Sequence, residues 1–310
     1  MHLPQGETPV VGQAETIGAQ LRRILAPNPS PMTFWGTNTY ILGTREVAVI
    51  DPGPDDPAHL AAILRALDPG QRISHVFVTH SHLDHSPLAT RLGAQTGAPV
   101  LAYGDSRAGR SPVMQSLAQS GEIGGGEGVD HGFSPDITLT DGQEVTGDGW
   151  RLKAHWTPGH FGNHLCFESG DSVFTGDLVM GWASSLVSPP DGDLSQFMAS
   201  CERLNALGAR RHLPGHGAPI DMPAARLDWL IDHRLGREAA ILAALDAGPR
   251  TARQIADAIY TETPAKLMPA AARNVLAHLI DLMQKSQIIA LDRLHAHSHF
   301  TRSTKNDAPR

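Results

Sequence analysis

The sequence predicts an α/β protein in which two β-sheets lie between two layers of helices, followed by a small winged-helix domain. Three observations support this class. Two strand-rich halves each end in a helical stretch, a pattern typical of two packed sheets with helices on their outer faces. A helix–helix–strand pattern follows a long helix near the C terminus, as in a winged helix. Histidines and aspartates follow the ends of several predicted strands.

The first half begins with short runs rich in Ile, Leu and Val, separated by Pro and Gly, which predict strands over 21–25, 37–42 and 46–50. Helical spacing of apolar residues predicts a helix over 57–67. A nearly continuous apolar run predicts a buried strand over 73–79. Ser86 and Pro87 then have the character of an N-cap and a first helical position.

Residues 104–134 are weakly patterned and contain a glycine-rich run at 121–128. The run lacks the Lys-Ser/Thr ending of a phosphate-binding loop. We therefore expect a flexible surface loop, and its position between core strands makes it a candidate lid.

The second half continues with further strands and one helix, followed by a change in composition after Pro223. The predicted strands are 137–139, 150–156, 165–168, 173–175 and 211–213, and the helix is 194–207. Beyond Pro223 we predict helices over 224–247, 251–260 and 269–285 and a strand over 288–294. The predicted domains are residues 1–222 and 223–310.

Composition limits the function classes. The net charge of −7 is the reverse of the basic surface that grips phosphate backbones, which disfavours an extended nucleic-acid interface. The two cysteines form no CxxC pair, which excludes a disulfide framework and a thiolate zinc site. No run approaches the roughly 20 apolar residues of a membrane span, and the first thirty residues do not resemble a signal peptide. We expect a cytoplasmic protein that does not contact membranes.

The segment His80-Ser-His-Leu-Asp-His85 carries the densest group of potential metal ligands. On an extended segment, residues two apart point the same way, so His80 and His82 can reach one metal ion. Asp84 and His85, beyond the bend, can face a neighbouring position. The cluster supplies too few ligands for two sites, so the remainder must come from elsewhere in the chain.

Three later positions can complete the ligands: His160, Asp177 and His216. Each follows a predicted strand and comes directly after a glycine, where the backbone turns tightly and leaves the side chain exposed. Histidine and carboxylate ligands suit zinc, and also manganese or iron.

Together, HSHLDH at 80–85, TPGH ending at His160, TGD ending at Asp177 and PGH ending at His216 resemble the metallo-β-lactamase superfamily. The resemblance covers residues from about 20 to 220 and implies the four-layer αββα sandwich of that superfamily. It also implies that Asp51 supports the cluster. The implied ligands are His80, His82 and His160 for one metal ion and Asp84, His85 and His216 for a second, with Asp177 bridging.

The segment after Pro223 resembles the winged-helix extension of the lactamase-beta-2-like branch, on Asp232-His233-Arg234, Arg237-Glu238 and the 271–278 helix. Some members of that branch are described as endoribonucleases acting on single-stranded RNA, and many bacterial members are known only as hydrolases. The resemblance therefore leaves the substrate open.

We expect two Zn²⁺ per chain, with Mn²⁺ or Fe²⁺ as alternatives, and a metal-bridging hydroxide as the nucleophile. Asp84 is the predicted catalytic residue that orients the attacking water. His164 is a second catalytic candidate, either touching substrate or supporting the site. The expected substrate is a small molecule with an ester, thioester, lactone or phosphodiester bond.

Three alternatives remain at this point. The chain could be a single-stranded RNA endonuclease. It could be a nucleic-acid-binding winged helix with a secondary metal site, although its recognition helix offers only Arg273 and Lys285 as cations. The metal site could also be purely structural, but ligands on open loops favour catalysis. His233 and Arg234 are predicted as surface charge, with a role at the cleft as the alternative.

Overall fold

The structure is a computed structural model that describes residue 3 and residues 5–303. Its first sheet has seven strands in chain order. The first four strands are antiparallel neighbours, and the later ones run parallel. The strands are β1 (Ala14–Gly18), β2 (Leu21–Leu25), β3 (Asn38–Leu42), β4 (Glu46–Ile50), β5 (Arg72–Phe77), β6 (Val100–Ala102) and β7 (Ile137–Thr138).

The second sheet has five strands in the order β12-β11-β10-β9-β8. Its neighbours are antiparallel except for the parallel pair of β11 and β12. The strands are β8 (Glu144–Gly147), β9 (Trp150–Trp156), β10 (Leu165–Ser169), β11 (Ser172–Gly176) and β12 (Arg211–Pro214). The helices outside the sheets are α1 (Pro57–Arg65), α2 (Pro87–Thr96), α3 (Pro112–Ser120) and α4 (Leu194–Leu207).

Strand β4 shows why the layers form. Its residues alternate between the two faces of the sheet, because successive side chains of a strand point in opposite directions. Ala48 and Ile50 pack in a core shared with the second sheet, whereas Val47 and Val49 pack against α1 and α2. A third core lies between the second sheet and α4. The layers are therefore helix, sheet, sheet and helix, as the sequence predicts.

A winged-helix unit follows the sandwich. Its small sheet has the order β13-β15-β14 and surrounds a core of its own. A capping box between Thr251 and Gln254 starts its first short helix. The elements are α5 (Pro223–Asp246), α6 (Ala252–Ile259), α7 (Met268–Gln284), β13 (Arg250–Thr251), β14 (Ile288–Ala290) and β15 (His299–Arg302).

Helix α5 connects the two units and belongs to both cores. Leu227 and Leu230 pack beside α4, while Ile241 and Leu245 pack in the winged-helix core. The proposed domain boundary between residues 222 and 223 stays a prediction. Among the described residues, no helix is both long and apolar enough to cross a membrane.

The segment 104–134 differs from its prediction as a flexible surface loop. It contains α3, and Met114 and Ile123 are buried in the winged-helix core. Helix α3 was missed because its buried face contacts a distant part of the chain, so its own sequence has a weak pattern. Strands β1, β6, β8, β13 and β15 were also missed; β1 and β8 are largely exposed and lack an apolar run, and β6, β13 and β15 have only two to four residues.

Arg234 is a second correction, because it is buried rather than part of the surface. Its guanidinium donates to the carbonyl of Ser185 and lies 5.0 Å from the centre of the Phe197 ring. The guanidinium therefore binds inside the molecule and joins α5 to the loop that precedes α4.

Candidate metal centre

The seven predicted ligands lie on four loops, which follow the carboxyl ends of β5, β9, β11 and β12. The loop after β5 carries four of them, and α2 begins directly behind it. Each of the other loops carries one. The structure brings all seven side chains together, in two groups whose ligand atoms lie within 4.8 Å of one another. The groups are His80, His82, His160 and Asp177, and Asp84, His85, Asp177 and His216.

Two glycines let these loops approach closely. A Cβ on Gly176, whose φ is +45°, would lie 2.8 Å from Thr79 Oγ1. A Cβ on Gly215 would lie 2.6 Å from both Asp177 Oδ1 and His85 Cε1. Contacts this short do not occur, so both positions require glycine. This explains why a glycine precedes Asp177 and His216.

Asp177 occupies the position between the two groups. Its Oδ1 lies 3.3 Å from His216 Nε2 and 3.4 Å from His85 Nε2. Its Oδ2 lies 3.7 Å from His160 Nε2. One carboxylate therefore turns an oxygen toward each group. This is the arrangement that a bridging ligand needs.

The orientation of the rings supports a cation site. Four rings have Nδ1 within hydrogen-bond distance of an oxygen outside the cluster, which leaves a lone pair on Nε2 when the ring is neutral. The pairs are His80 with the Thr79 hydroxyl (3.0 Å), His85 with Asp51 (3.0 Å), His160 with the Leu186 carbonyl (2.7 Å) and His216 with the Gly36 carbonyl (3.0 Å). This is the usual arrangement of metal-binding histidines.

The inward-facing nitrogens are too close to one another to be left as free lone pairs. His85 Nε2 and His216 Nε2 are 3.3 Å apart, and His80 Nε2 and His82 Nδ1 are 2.9 Å apart. Asp177 Oδ1 is buried and has no hydrogen-bond partner among the described residues. Lone pairs and a carboxylate at these distances repel unless protons or cations lie between them. The donor set of imidazole and carboxylate groups fits divalent transition metals.

Asp51 holds the cluster from behind. Its carboxylate accepts from the Thr79 backbone N–H (2.7 Å), the Thr79 hydroxyl (2.8 Å) and His85 Nδ1 (3.0 Å). Thr79 directly precedes His80, so one buried carboxylate fixes both the start of the ligand loop and the ring of His85. This is the supporting position that the family resemblance implies for Asp51.

The electrostatics of the ligand side chains favour positive charge at the site. Burial lowers the pKa of His82 to about 3, and the His160 ring contributes to the fall. Burial also disfavours the charged form of His216, but the carboxylates of Asp177 and Asp84 together outweigh burial and raise the pKa to about 10. Burial alone would raise the pKa of Asp177, yet His216 and His85 hold it well below its usual value. The Asp177 carboxylate thus stays ionised, and it favours positive charge on the His216 ring or between the two side chains.

A cavity of about 740 Å³ opens over the cluster. Its charged lining residues are three carboxylates, those of Asp84, Glu127 and Asp177, and no Lys or Arg from the described chain joins them. Its walls are mainly apolar and come from the loop between β2 and β3, from the ligand loop, from the segment after β11 and from the winged helix. They include Met32, Leu83, Met180, Trp182, Leu267 and Ala270.

The profile of the "Metallo-beta-lactamase superfamily" matches residues 32–216, which is more than half of the chain. This chain belongs to the metallo-beta-lactamase superfamily. A second profile, the "Beta-lactamase associated winged helix domain", matches residues 251–293. The two matches confirm the predicted family and the predicted winged helix.

Two curated relatives are similar to this chain over most of its length. It is 32% identical over 281 residues to the atrochrysone carboxyl ACP thioesterase of Aspergillus fumigatus, covering 88% of this chain and 80% of that protein. It is 32% identical over 280 residues to the beta-lactamase-like protein 2 homolog of Drosophila melanogaster, covering 86% and 88%. The chain is accordingly an enzyme of the hydrolase type.

Solved structures share the same fold. A metallo-beta-lactamase family protein from Thermus thermophilus superposes with a TM-score of 0.73 at 26% identity, covering 91% of this chain and 98% of that one. A beta-lactamase domain protein from Burkholderia ambifaria superposes with a TM-score of 0.78 at 20% identity, covering 96% of both chains. The second match concerns the fold alone.

His164, the other catalytic candidate in this metallo-beta-lactamase fold, is fully buried. Its Nδ1 lies 3.0 Å from the Thr157 hydroxyl, and its ring centre is 5.2 Å from that of His80. It does not line the cavity. The geometry favours its role as a support behind His80 over contact with substrate.

Sequence reasoning missed the residues that form the cavity walls. Met180, Trp182 and Leu186 lie in an irregular segment between Asp177 and α4, and Leu267 and Ala270 lie at the start of α7. Their spacing shows no periodic pattern. Nothing in the chain marks them as parts of one surface.

Proposed function

We propose that this chain is a binuclear zinc hydrolase that cleaves an ester or thioester bond in a small molecule with a bulky apolar acyl group. The observation that carries the proposal is the pair of ligand groups sharing Asp177 at the floor of an apolar cavity. Zinc is the proposed metal because imidazole, a preferred zinc ligand, dominates the donor set.

Two divalent cations, when bound, would supply Lewis-acid activation of water and of the substrate carbonyl. The residues proposed to hold them are His80, His82, His160, Asp84, His85 and His216, with Asp177 between the two groups. A site held on loops beside a large cavity favours catalysis over a purely structural metal.

Asp84 is the proposed proton acceptor and orienting residue. Its side chain is 25% exposed and lines the cavity, and its Oδ2 lies 3.1 Å from His216 Nε2. Burial alone would raise its pKa, but His85 and His216 hold the pKa well below the usual value, so the carboxylate is ionised. An ionised oxygen at the cavity surface can accept a hydrogen bond from the attacking water and take its proton.

The cavity walls support an apolar acyl group. A ligand pocket that is mostly apolar, with few polar groups at one end, places the hydrophobic part of a substrate against the walls and the reacting bond against the polar floor. Burial of each methylene group contributes about 0.8 kcal/mol. The thioesterase named among the relatives acts on an acyl carrier protein, which agrees with a thioester as the reacting bond.

Charge disfavours the RNA alternative. A single-stranded RNA groove needs cations along the backbone and aromatic surfaces for the bases. The charged residues lining this cavity are carboxylates, which repel phosphates. A ribonuclease is therefore the weaker candidate.

The winged helix is also poorly suited to binding DNA, because its helix α7 offers few free cations. In α7, the helix that corresponds to a recognition helix, Arg273 donates to Ser188 Oγ (2.8 Å). Lys285 Nζ lies 2.9 Å from Glu238 and 2.8 Å from Asp281. Lys285 is thus ion-paired within the protein, the Arg273 guanidinium is directed at neutral groups of the protein, and other residues of α7 line the cavity. The proposed role of the winged helix is to form one wall of the substrate site.

The test combines elemental analysis with a substrate panel on the full chain. We expect two zinc ions per zinc-loaded chain. We also expect kcat/KM for thioesters with long or aromatic acyl groups to exceed that of an acetyl thioester by at least about tenfold. Single-stranded RNA and duplex DNA in the same panel should be neither cleaved nor bound at moderate salt.

Two variants serve as controls for the metal assignment. Asp177→Ala should weaken both metal sites, because its oxygens face both groups, whereas His216→Ala should mainly weaken one. A fully active sample with one ion per chain would refute the binuclear site. Faster cleavage of single-stranded RNA than of any ester would refute the substrate class.

A further inference from the structure

The peptide bond between Leu186 and Val187 lies between a proposed metal ligand and the winged helix. His160 Nδ1 donates to the Leu186 carbonyl at 2.7 Å. The Val187 N–H, in the same peptide group, donates to Asn274 Oδ1 at 3.0 Å. Asn274 belongs to α7. A single peptide group thus connects α7 to the ring of His160.

Asn274 is itself held in place. Its Oδ1 also accepts from Arg234 Nη1 at 3.2 Å, which determines how the amide group is turned. Arg234 is buried, and its other terminal nitrogen donates to the Ser185 carbonyl. Ser185 and Val187, the neighbours of Leu186, are therefore bound from α5 and α7.

The segment that receives these contacts has no regular structure of its own. Residues 180–188 form neither helix nor strand. Further along, Arg226 Nε donates to the Met180 carbonyl and its Nη2 to the Ala183 carbonyl, both at 2.7 Å. Backbone groups in an irregular segment need partners from elsewhere. Helices α5 and α7 supply these partners.

We propose that Asn274 is a positioning residue for His160. The winged helix thereby sets the geometry of the ligand group formed by His80, His82, His160 and Asp177. By accepting from Val187 N–H, Asn274 fixes and polarises the Leu186 carbonyl, and hydrogen bonds in such a chain strengthen one another. The fixed carbonyl turns the imidazole so that Nε2 faces His82 and Asp177, at 3.2 and 3.7 Å. This inference rests on the proposed metal centre.

In this proposal, α7 supports the metal site and does not bind nucleic acid. Partners of a metal-binding histidine orient the ring and typically contribute 10–100-fold to metal affinity. Asn274 acts one hydrogen bond farther away, so we expect an effect of about tenfold, at the low end of that range. The effect should fall on the group that contains His160. Within residues 5–303, no hydrogen bond links the backbone or side chains of Asp84, His85 and His216 to Asn274.

The test measures zinc binding to the metal-free full chain by competition with a chromophoric chelator. Asn274→Leu keeps the approximate shape of the side chain but removes the acceptor. It should weaken one of the two zinc affinities about tenfold and leave the other within about threefold. Asn274→Asp, which keeps an acceptor oxygen, should restore wild-type binding. A general loss of folding would instead weaken both affinities together.

A second readout is the visible spectrum of the cobalt-substituted protein, which reports ligand geometry without requiring activity. It should change in Asn274→Leu and not in the matched control Asn205→Leu, whose amide binds Asp228 between α4 and α5. Asn274→Ala, which adds no bulk, takes the place of the leucine variant should that one fail to fold.

The outcomes separate this inference from the proposed function. A wild-type chain that binds no transition metal overturns both. Suppose instead that the wild-type chain binds two zinc ions and that Asn274→Leu changes neither the zinc affinities nor the cobalt spectrum. That result overturns the positioning role alone.

Discussion

At the scale of single residues, the two carboxylates of the second ligand group differ in exposure. The side chain of Asp177 is 9% exposed and faces both groups, whereas that of Asp84 is 25% exposed and reaches the cavity. Both are held ionised by His85 and His216. The buried carboxylate therefore suits a bridge, and the exposed one suits contact with water.

This difference predicts unequal effects of two substitutions. Asp84→Asn keeps the size of the side chain but removes its charge and its ability to take a proton, so kcat should fall about a thousandfold with the fold intact. His164→Ala removes a ring behind His80, so kcat should fall about tenfold. Because that ring is fully buried, its loss should also lower the free energy of unfolding by about 2 kcal/mol or more.

Steady-state kinetics on a confirmed substrate, with urea unfolding of each variant, check the order of the two effects. If His164→Ala abolished turnover in a stable protein while Asp84→Asn kept most of it, the role given to Asp84 would be wrong. His164 would then have to act directly in the reaction.

At the scale of elements, the segment 104–134 is a packed connection rather than a lid. The Asp130 N–H donates to the Ser81 carbonyl (2.9 Å), and the Leu83 N–H donates to the Gly128 carbonyl (2.8 Å). The Ile123 carbonyl accepts from Arg273 of α7. The segment thus joins the ligand loop to the winged helix.

Gly125 provides a test of this packing. Its φ is +119°, and a Cβ there would lie 2.4 Å from Pro190 Cδ. Gly125→Ala should therefore lower the free energy of unfolding by roughly 3 kcal/mol. Gly121→Ala is the matched control, because its φ is +69° and nothing lies within 4 Å of the added carbon. It should cost about 1 kcal/mol.

Urea unfolding of the two alanine variants measures the difference. We also expect Gly125→Ala to raise KM, since Glu127 on the same segment lines the cavity. Equal stability losses in the two variants would mean that the segment moves freely, as a lid does.

At the scale of the whole molecule, burial of histidines outside the metal site makes stability depend on pH. His278 of α7 is 1% exposed, and neither ring nitrogen has a partner among the described residues. Burial, reinforced by Arg234, lowers its pKa from 6.5 to about 3. The folded state therefore disfavours the charged ring, which the unfolded chain accepts below pH 6.5.

The sign of the effect follows. Above pH 6.5 the ring is neutral in both states, and the full stability is present. As the pH falls, the unfolded chain binds a proton first, so stability is lost down to the folded pKa of about 3. Between pH 7 and pH 5, His278 should lower the free energy of unfolding by about 2 kcal/mol.

The check is urea unfolding of the metal-free chain at pH 7 and pH 5, with His278→Leu compared with wild type at each pH. The leucine variant should lose about 2 kcal/mol less than wild type between the two values. His297→Leu, at an exposed position, controls for the loss of a histidine. Parallel pH profiles for His278→Leu and wild type would contradict the prediction.

The sequence by itself determined the layers of the sandwich, the winged helix and the set of seven side chains that come together. Strand and helix patterns are local, and each candidate ligand sits in a short motif directly after a strand. Glycines such as Gly176 and Gly215 mark those positions, because the neighbouring loops leave no room for a Cβ. Information of this kind is carried by adjacent residues and can be recognised without contacts.

Only the tertiary structure decided which surfaces meet over the cluster. The apolar cavity combines residues from the ligand loop, the segment after β11 and the start of α7. Arg234 changed from predicted surface charge to a buried contact, and Asn274 came within reach of the peptide group behind His160. These relations join distant residues, and Val187 and Asn274 lie 87 positions apart in the chain. They depend on how α5 and α7 pack against the sandwich, which no local pattern in the chain encodes.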